Sequence, residues 1–190
     1  WGHGDREEVT RAEAIELFDL SGVGKSPSRF DMKKLENLNG HYIREADDSL
    51  LVAEVLKRLG NGSDAKLLLN AMPSLKPRAK NLDELADSAK FLFAQTPLKM
   101  TEKAAKLLDE DGRARLALVS TALAKENDWT IEALEATTKS LAEAQGLGLG
   151  KLAQPMRAAL TGTTTSPGIF DVLVLLGRDE ALARLNAQSA

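Results

Sequence analysis

Five basic residues between Lys25 and Arg44, namely Lys25, Arg29, Lys33, Lys34 and Arg44, face only Asp31 and Glu36, so this short stretch carries +3 in a chain of formal net charge −3. A local positive face of that kind can touch phosphate oxygens while the acidic average keeps the remaining surface unattractive to bulk nucleic acid. A solvated basic helix would read the same way. On the residues alone, an RNA-binding helical module and a protein-binding one are equally open. The other candidates for chemistry are few. His3 and His41 are the sole imidazoles, and each reads as a surface or helix-end histidine. The carboxylate pairs Asp47 with Asp48 and Asp109 with Asp111 read as helix caps or solvated charge rather than as acid and base. With no cysteine there is neither a disulfide framework nor a thiolate nucleophile, and a zinc site would have to be built from His3, His41 and carboxylates. The sequence has no GxGxxG or Walker phosphate loop, no HExxH helix and no GxSxG elbow. Most enzyme chemistries are thereby excluded.

The elements that must position these groups are helices. The 190 residues include 32 Leu and 27 Ala against 7 Val and 4 Ile, an imbalance toward strong helix formers that predicts an all-α protein. At 43% hydrophobic and 28% charged the chain can build one large or two small cores. No stretch approaches the roughly 20 apolar residues of a membrane span. The lack of cysteine fits a reducing, cytoplasmic setting, and the start at Trp1 suggests a piece of a larger protein.

Capping chemistry marks most boundaries. Thr10 to Glu13 spells a capping box for a helix running to about Leu20. After a loop from Ser21 to Ser28, Phe30 leads into a second helix ending near Arg44. Asp47 or Asp48 opens a third, closed by Gly60. Ser63 opens a fourth that Pro73 or Pro77 must bend or end, and Asn81 a fifth reaching Phe93. Gln95 to Leu98 is the candidate internal boundary. Beyond it Thr101 to Leu108, Arg113 to Ala124 and Ile131 to Gln145 are predicted helical, with Asp111 and Gly112 separating the first two. Lys151 to Leu160 should be bent or newly started at Pro155. Ser166 and Pro167 read as N-cap and first helical position of an apolar helix over Ile169 to Leu176, and Asp179 to Asn186 forms the last helix.

Several longer words of this sequence resemble one family. KSPSRFDMKKLENLNGHYIR (Lys25 to Arg44), KPRAKNLDELADSAKFLF (Lys76 to Phe93), NDWTIEALEA (Asn127 to Ala136) and MRAALTGTTTSPGIFDVLVLLGRDEALARL (Met156 to Leu185) are similar to the C-terminal half of bacterial glutamyl-tRNA synthetase. The opening WGHGDREE is similar to the family's W-S-x-G-D stretch, with Gly2 in place of the usual serine. The resemblance implies the helical end of a stem-contact domain over 1–45, then an α-helix cage that binds the anticodon, built from helical subdomains at 46–98 and 99–190. It also implies tRNA-Glu as partner, with neither DNA nor membrane, and a monomer in the cytoplasm. The ATP- and magnesium-dependent Rossmann-type half is absent, so the chain should need no cofactor and catalyse nothing alone.

Site residues follow from the same resemblance. Arg78 falls where glutamate-discriminating members place an arginine against the third anticodon base. Cytosine, the base in tRNA-Glu, offers N3 and O2 acceptors to a guanidinium that only donates, whereas the uracil N3 hydrogen opposes it and tRNA-Gln carries guanine there. Gln154 and Arg157 match a second contact group, and Ser166, Pro167, Gly168 and Ile169 match the family's T/S-P-G-apolar loop, whose helix-start amides and apolar surface would meet splayed bases. Lys25, Arg29, Lys33, Lys34 and Arg44 would meet the tRNA backbone, and Trp129 would pack in the core. The alternative is a helical interaction module that docks on a separate catalytic chain.

Overall fold

The computed structural model describes residues 8–24, 29–60 and 62–189; His3 and Lys25 lie outside them. Among the described residues every regular element is helical. Helix α1 (Arg11–Leu17) starts on the expected capping box: the Thr10 hydroxyl accepts from the Glu13 amide at 3.2 Å and the Glu13 carboxylate accepts from the Thr10 amide at 2.7 Å. It stops at Leu17, short of Leu20, and buries none of its residues. Helix α2 (Met32–Glu45) begins at Asp31 and α3 (Asp48–Leu59) at Asp47, whose carboxylate accepts from the amides of Ser49 and Leu50. Asp64, not Ser63, caps α4 (Ala65–Leu75), since its carboxylate reaches two amides of the first turn. Pro73 lies inside α4, and the helix gives way to a 3-10 turn, Lys76–Arg78, that contains Pro77. Asn81 caps α5 (Leu82–Ala89).

The second half departs from expectation at its start. Helix α6 is confined to Glu102–Ala105, while α7 runs over Glu110–Leu123 and takes in both Asp111 and Gly112. Asp109 caps α7 through the Gly112 amide at 2.8 Å, and Asp111 pairs with Arg115 one turn on. Gly112 is there for space. A Cβ at this position would lie 2.0 Å from the Leu107 carbonyl oxygen, so backbone packs where a turn was expected. Gly112→Ala should therefore lower the melting temperature, because overpacking of about 1–3 kcal/mol exceeds the helix-propensity gain of up to ~1 kcal/mol. A thermal melt that rises would show that the Leu107 turn yields.

Helix α8 (Ile131–Ala144) is capped by Thr130, and α9 (Gly150–Thr161) continues through Pro155 without restarting. Gly168, not Ser166, is the N-cap of α10 (Ile169–Leu176), and α11 (Arg178–Ser189) follows. Packing groups α3, α4 and α5 together, and α7 with α8, α9 and α11; α10 touches α4 as well as its own neighbours. One continuous core results, with Val55, Leu68, Met72 and Leu85 on one side and Leu116, Leu134, Met156, Leu173 and Leu185 on the other.

Arg184, only 2% exposed, rivets the two groups. From α11 its Nη1 donates to the carbonyls of Phe91 (2.9 Å) and Leu160 (2.7 Å), its Nη2 to Ala94 (3.0 Å) and its Nε to Glu180 (2.6 Å). Trp129 packs as expected, donating from its indole to the Leu173 carbonyl at 3.0 Å, with the Arg178 guanidinium 5.5 Å from its ring centroid. Among the described residues no helix is long and apolar enough to cross a membrane.

Candidate nucleic-acid interface

Arg78 owes its position to contacts on both sides of its 3-10 turn. Before it, the Lys76 ammonium donates to the Ala46 carbonyl and to the Asp48 carboxylate, both at 2.7 Å. After it, buried Ala79 lies against Gly40 of α2, where a Cβ would come to 3.4 Å from the Ala79 carbonyl oxygen. The Asn39 amide donates to the Lys80 carbonyl at 2.6 Å. The backbone is thus held while the Arg78 side chain stays exposed.

Across the interface, Arg78 Nη1 donates to the backbone carbonyl of Ser166. Arg157, half-buried on α9, donates from Nε to the Ser166 hydroxyl at 2.8 Å, and that hydroxyl donates to the Pro167 carbonyl at 2.8 Å. Arg78, 88 residues away in sequence, and Arg157, nine residues away, therefore meet at one serine. The Arg157 guanidinium is held below its usual pKa, first by burial and then by the positive charge of Arg78. Among the described residues neither arginine has a carboxylate partner.

The serine loop is not an open helix end. Ser166, Pro167 and Ile169 are buried and only Gly168 is half-exposed. Asp171, which accepts from the Ser74 hydroxyl at 3.0 Å, leans over the loop, so that a Cβ on Gly168 would lie 2.2 Å from its carboxylate oxygen. Asp171 thus sits against Gly168, while Thr165, just before the serine, is exposed. Gln154 is exposed one turn before Arg157.

Arg78, Ser166 and Pro167 line a cleft of about 630 Å³ between the two helix groups, walled also by Phe91 and Leu98, by Lys90 and Lys99, and by the carboxylates of Glu84 and Asp87. The basic residues of α2 lead toward it. Lys33, Lys34 and Arg44 share a shallow hollow of about 400 Å³ with His41, and Arg29 sits beside Lys33 in a neighbouring one. Arg44 shares a further hollow with Arg78 and Lys80, which joins the α2 face to the cleft. His41 also lies 3.4 Å from the Glu8 carboxylate. Among the described residues no three His, Asp or Glu side chains cluster as metal ligands would.

Arg184, Lys76, Asn39 and Asp171 escaped the sequence reading. Each looks like an ordinary surface residue in its own helix, and only the tertiary contact distinguishes it. Spacing gave no signal for them.

Known proteins match this chain over nearly its whole length. The family model described as an anticodon binding domain matches residues 49–188. The glutamate–tRNA ligase 1 of Erythrobacter litoralis is 70% identical over 189 residues, which are 100% of this chain and 39% of that protein. The glutamate–tRNA ligase 2 of Rhizorhabdus wittichii is 60% identical over 195 residues, covering 99% and 41%. A crystal structure of a glutamate tRNA ligase from Elizabethkingia meningosepticum, in complex with its amino acid, superposes with a TM-score of 0.79 at 26% identity, over 95% of this chain and 36% of that one. The chain spans about two fifths of the length of the curated relatives it matches, and the matched stretch is their C-terminal part.

Proposed function

This chain belongs to the anticodon-binding domain family, and from that premise we propose that it is the part of a glutamate–tRNA ligase that inspects the anticodon of tRNA-Glu. The observation that carries this reading is the meeting of Arg78 and Arg157 at Ser166, two cations without a carboxylate partner among the described residues, with Arg78 and Ser166 lining the cleft. Such a pair attracts phosphate and ring acceptors, and the apolar wall beside it suits the face of an unstacked base.

In this reading Arg78 faces the third anticodon base, Gln154 reads a pyrimidine from the exposed side of α9, and Gly168 with the edge of Pro167 supports a neighbouring base. Arg29, Lys33, Lys34 and Arg44 follow the backbone. Residues 1–45 close a stem-contact domain, and 46–98 and 99–190 act as the two jaws. Activation of glutamate with ATP and magnesium belongs to another part of the synthetase. This part works as a monomer in the cytoplasm and has no catalytic role of its own.

Titrating the chain with an anticodon stem-loop of tRNA-Glu should shift the amide resonances of Arg78, Arg157 and Gly168. Undisturbed resonances at all three would overturn the reading. Binding should also weaken with salt, and Arg44→Ala should reduce the slope of log K against log salt by about 0.7 to 0.9, as for one lost phosphate contact. The preference among third bases should stay unchanged in that variant. An unaltered slope would take Arg44 off the backbone path.

A second reading has its own support. Ile15, Leu20 and Phe30 are 69%, 80% and 70% exposed, an apolar display that suits docking on a separate catalytic chain. Retention of the stem-loop by a variant with all three changed to serine would show that this display is not the RNA site.

A further inference from the structure

We propose that Asp171 and Ser74 form a clasp that sets the gap between Arg78 and the edge made by Pro167 and Gly168, which makes Asp171 a positioning residue; the inference rests on the anticodon reading above. The two sides of that gap belong to different helix groups. Arg78 ends the 3-10 turn that follows α4, whereas Pro167 and Gly168 lead into α10. Ser74 stands in the last turn of α4 and Asp171 in the first turn of α10, and the serine hydroxyl donates to Oδ1 of the carboxylate at 3.0 Å. Each end of this bond thus lies about one helical turn from one side of the gap. Arg78 also crosses the gap, to the Ser166 carbonyl, but with a donor for which a base would compete. The clasp uses no such group.

A carboxylate carries the wrong charge for this place. Arg78 and Arg157 meet at the nearby serine, and a nucleic acid drawn to them is repelled by Asp171. A helix start gains from an acid in its first turn, but it would gain equally from one facing solvent. This acid is half-buried, and among the described residues its hydrogen-bond partner is the Ser74 hydroxyl alone. Gly168 makes room for it. The backbone at Gly168 has a negative φ of −50°, so conformation does not call for glycine there. Space does: a Cβ would lie 2.2 Å from Oδ2 of Asp171 and 3.4 Å from its Cγ. Only a residue without a side chain lets the carboxylate lie over the loop and reach Ser74.

Charge and geometry at Asp171 therefore act on RNA binding with opposite signs. Removing the negative charge alone should tighten binding, and opening the clasp should weaken it. Asp171→Asn does only the first, because its amide carbonyl still accepts from Ser74. Ser74→Ala does only the second, and Asp171→Ala does both.

The test measures dissociation constants of the 190-residue chain for the anticodon stem-loop of tRNA-Glu, with melting curves to confirm that each variant folds. Ser74→Ala and Asp171→Ala should each weaken binding by roughly three- to tenfold, the range for directly coupled side chains. The double variant should bind like Asp171→Ala alone, and Asp171→Asn at least as tightly as the parent. Should Asp171→Ala fail to fold, Ser74→Ala and Asp171→Asn still fix both signs. Tighter binding by Asp171→Ala would mean that the acid only repels. Weaker binding by Asp171→Ala with Ser74→Ala unchanged would mean that the acid meets the RNA itself. A lower melting temperature with affinity unchanged in both alanine variants would mean that the bond serves the fold alone. Each of these three results overturns the clasp and leaves the anticodon reading standing. A parent chain that does not bind the stem-loop would overturn both.

Discussion

Arg78→Ala should abolish the preference for cytosine at the third anticodon position while leaving most of the charge-driven affinity in place. The side chain is exposed and makes a single protein hydrogen bond among the described residues, to the Ser166 carbonyl, so its removal leaves little buried polarity behind. A bidentate arginine contact is worth about 1–3 kcal/mol of discrimination, roughly ten- to a hundredfold in relative affinity. Arg78→Lys should recover charge but not discrimination, because an ammonium has no planar pair of donors. Isothermal titration with stem-loops differing at that one base gives the ratio directly. A ratio unchanged in both variants would transfer base reading elsewhere, and Gln154 would then be the next residue to replace.

Arg184→Met is expected to have the largest effect on stability. The stem of the side chain is retained, but the carbonyls of Phe91, Leu160 and Ala94 lose their donor. Removing one member of a buried charged network of this kind costs about 3–5 kcal/mol. For a chain of this length, that corresponds to a fall of about 10 °C in melting temperature. Glu180 is 43% exposed and the pair is partly screened, so Glu180→Gln should cost less than about 1 kcal/mol. If Arg184→Met melted within about 2 °C of the parent, water would have to replace the guanidinium at those carbonyls.

Local chemistry was the legible layer of the sequence. Thr10, Asp47 and Asn81 announce their helices because a cap needs one side chain and two or three nearby amides, all within a single turn. Composition was enough to establish the helical class. What misled was chemistry with two readings. Asp111 followed by Gly112 spells a turn, yet here the missing side chain admits the Leu107 carbonyl to the face of a helix. Ser166 followed by Pro167 spells a helix start, yet the hydroxyl faces Arg157 instead of an amide. Arg184 gave no signal at all, because an arginine on an amphipathic helix belongs at the surface unless distant carbonyls converge on it.

The candidate interface divides in the same way. The positive run on α2 is visible in the charges, whereas the importance of Arg78, Gln154 and the Ser166 to Ile169 loop came from resemblance to a family. No periodicity relates position 78 to positions 157 and 166. Folding makes that connection, through α4 meeting α10 and through the cleft that both groups line.

The rivet formed by Arg184 has a kinetic consequence. It ties α11 and α9 to the Phe91 and Ala94 carbonyls, so in the anticodon reading proposed above the two walls of the cleft are already linked to each other when RNA arrives. On that reading a pre-linked cleft would leave more of the ordering entropy to the incoming triplet. Arrival is then paced by diffusion and the positive field, and residence time is set by how well each ring edge is met.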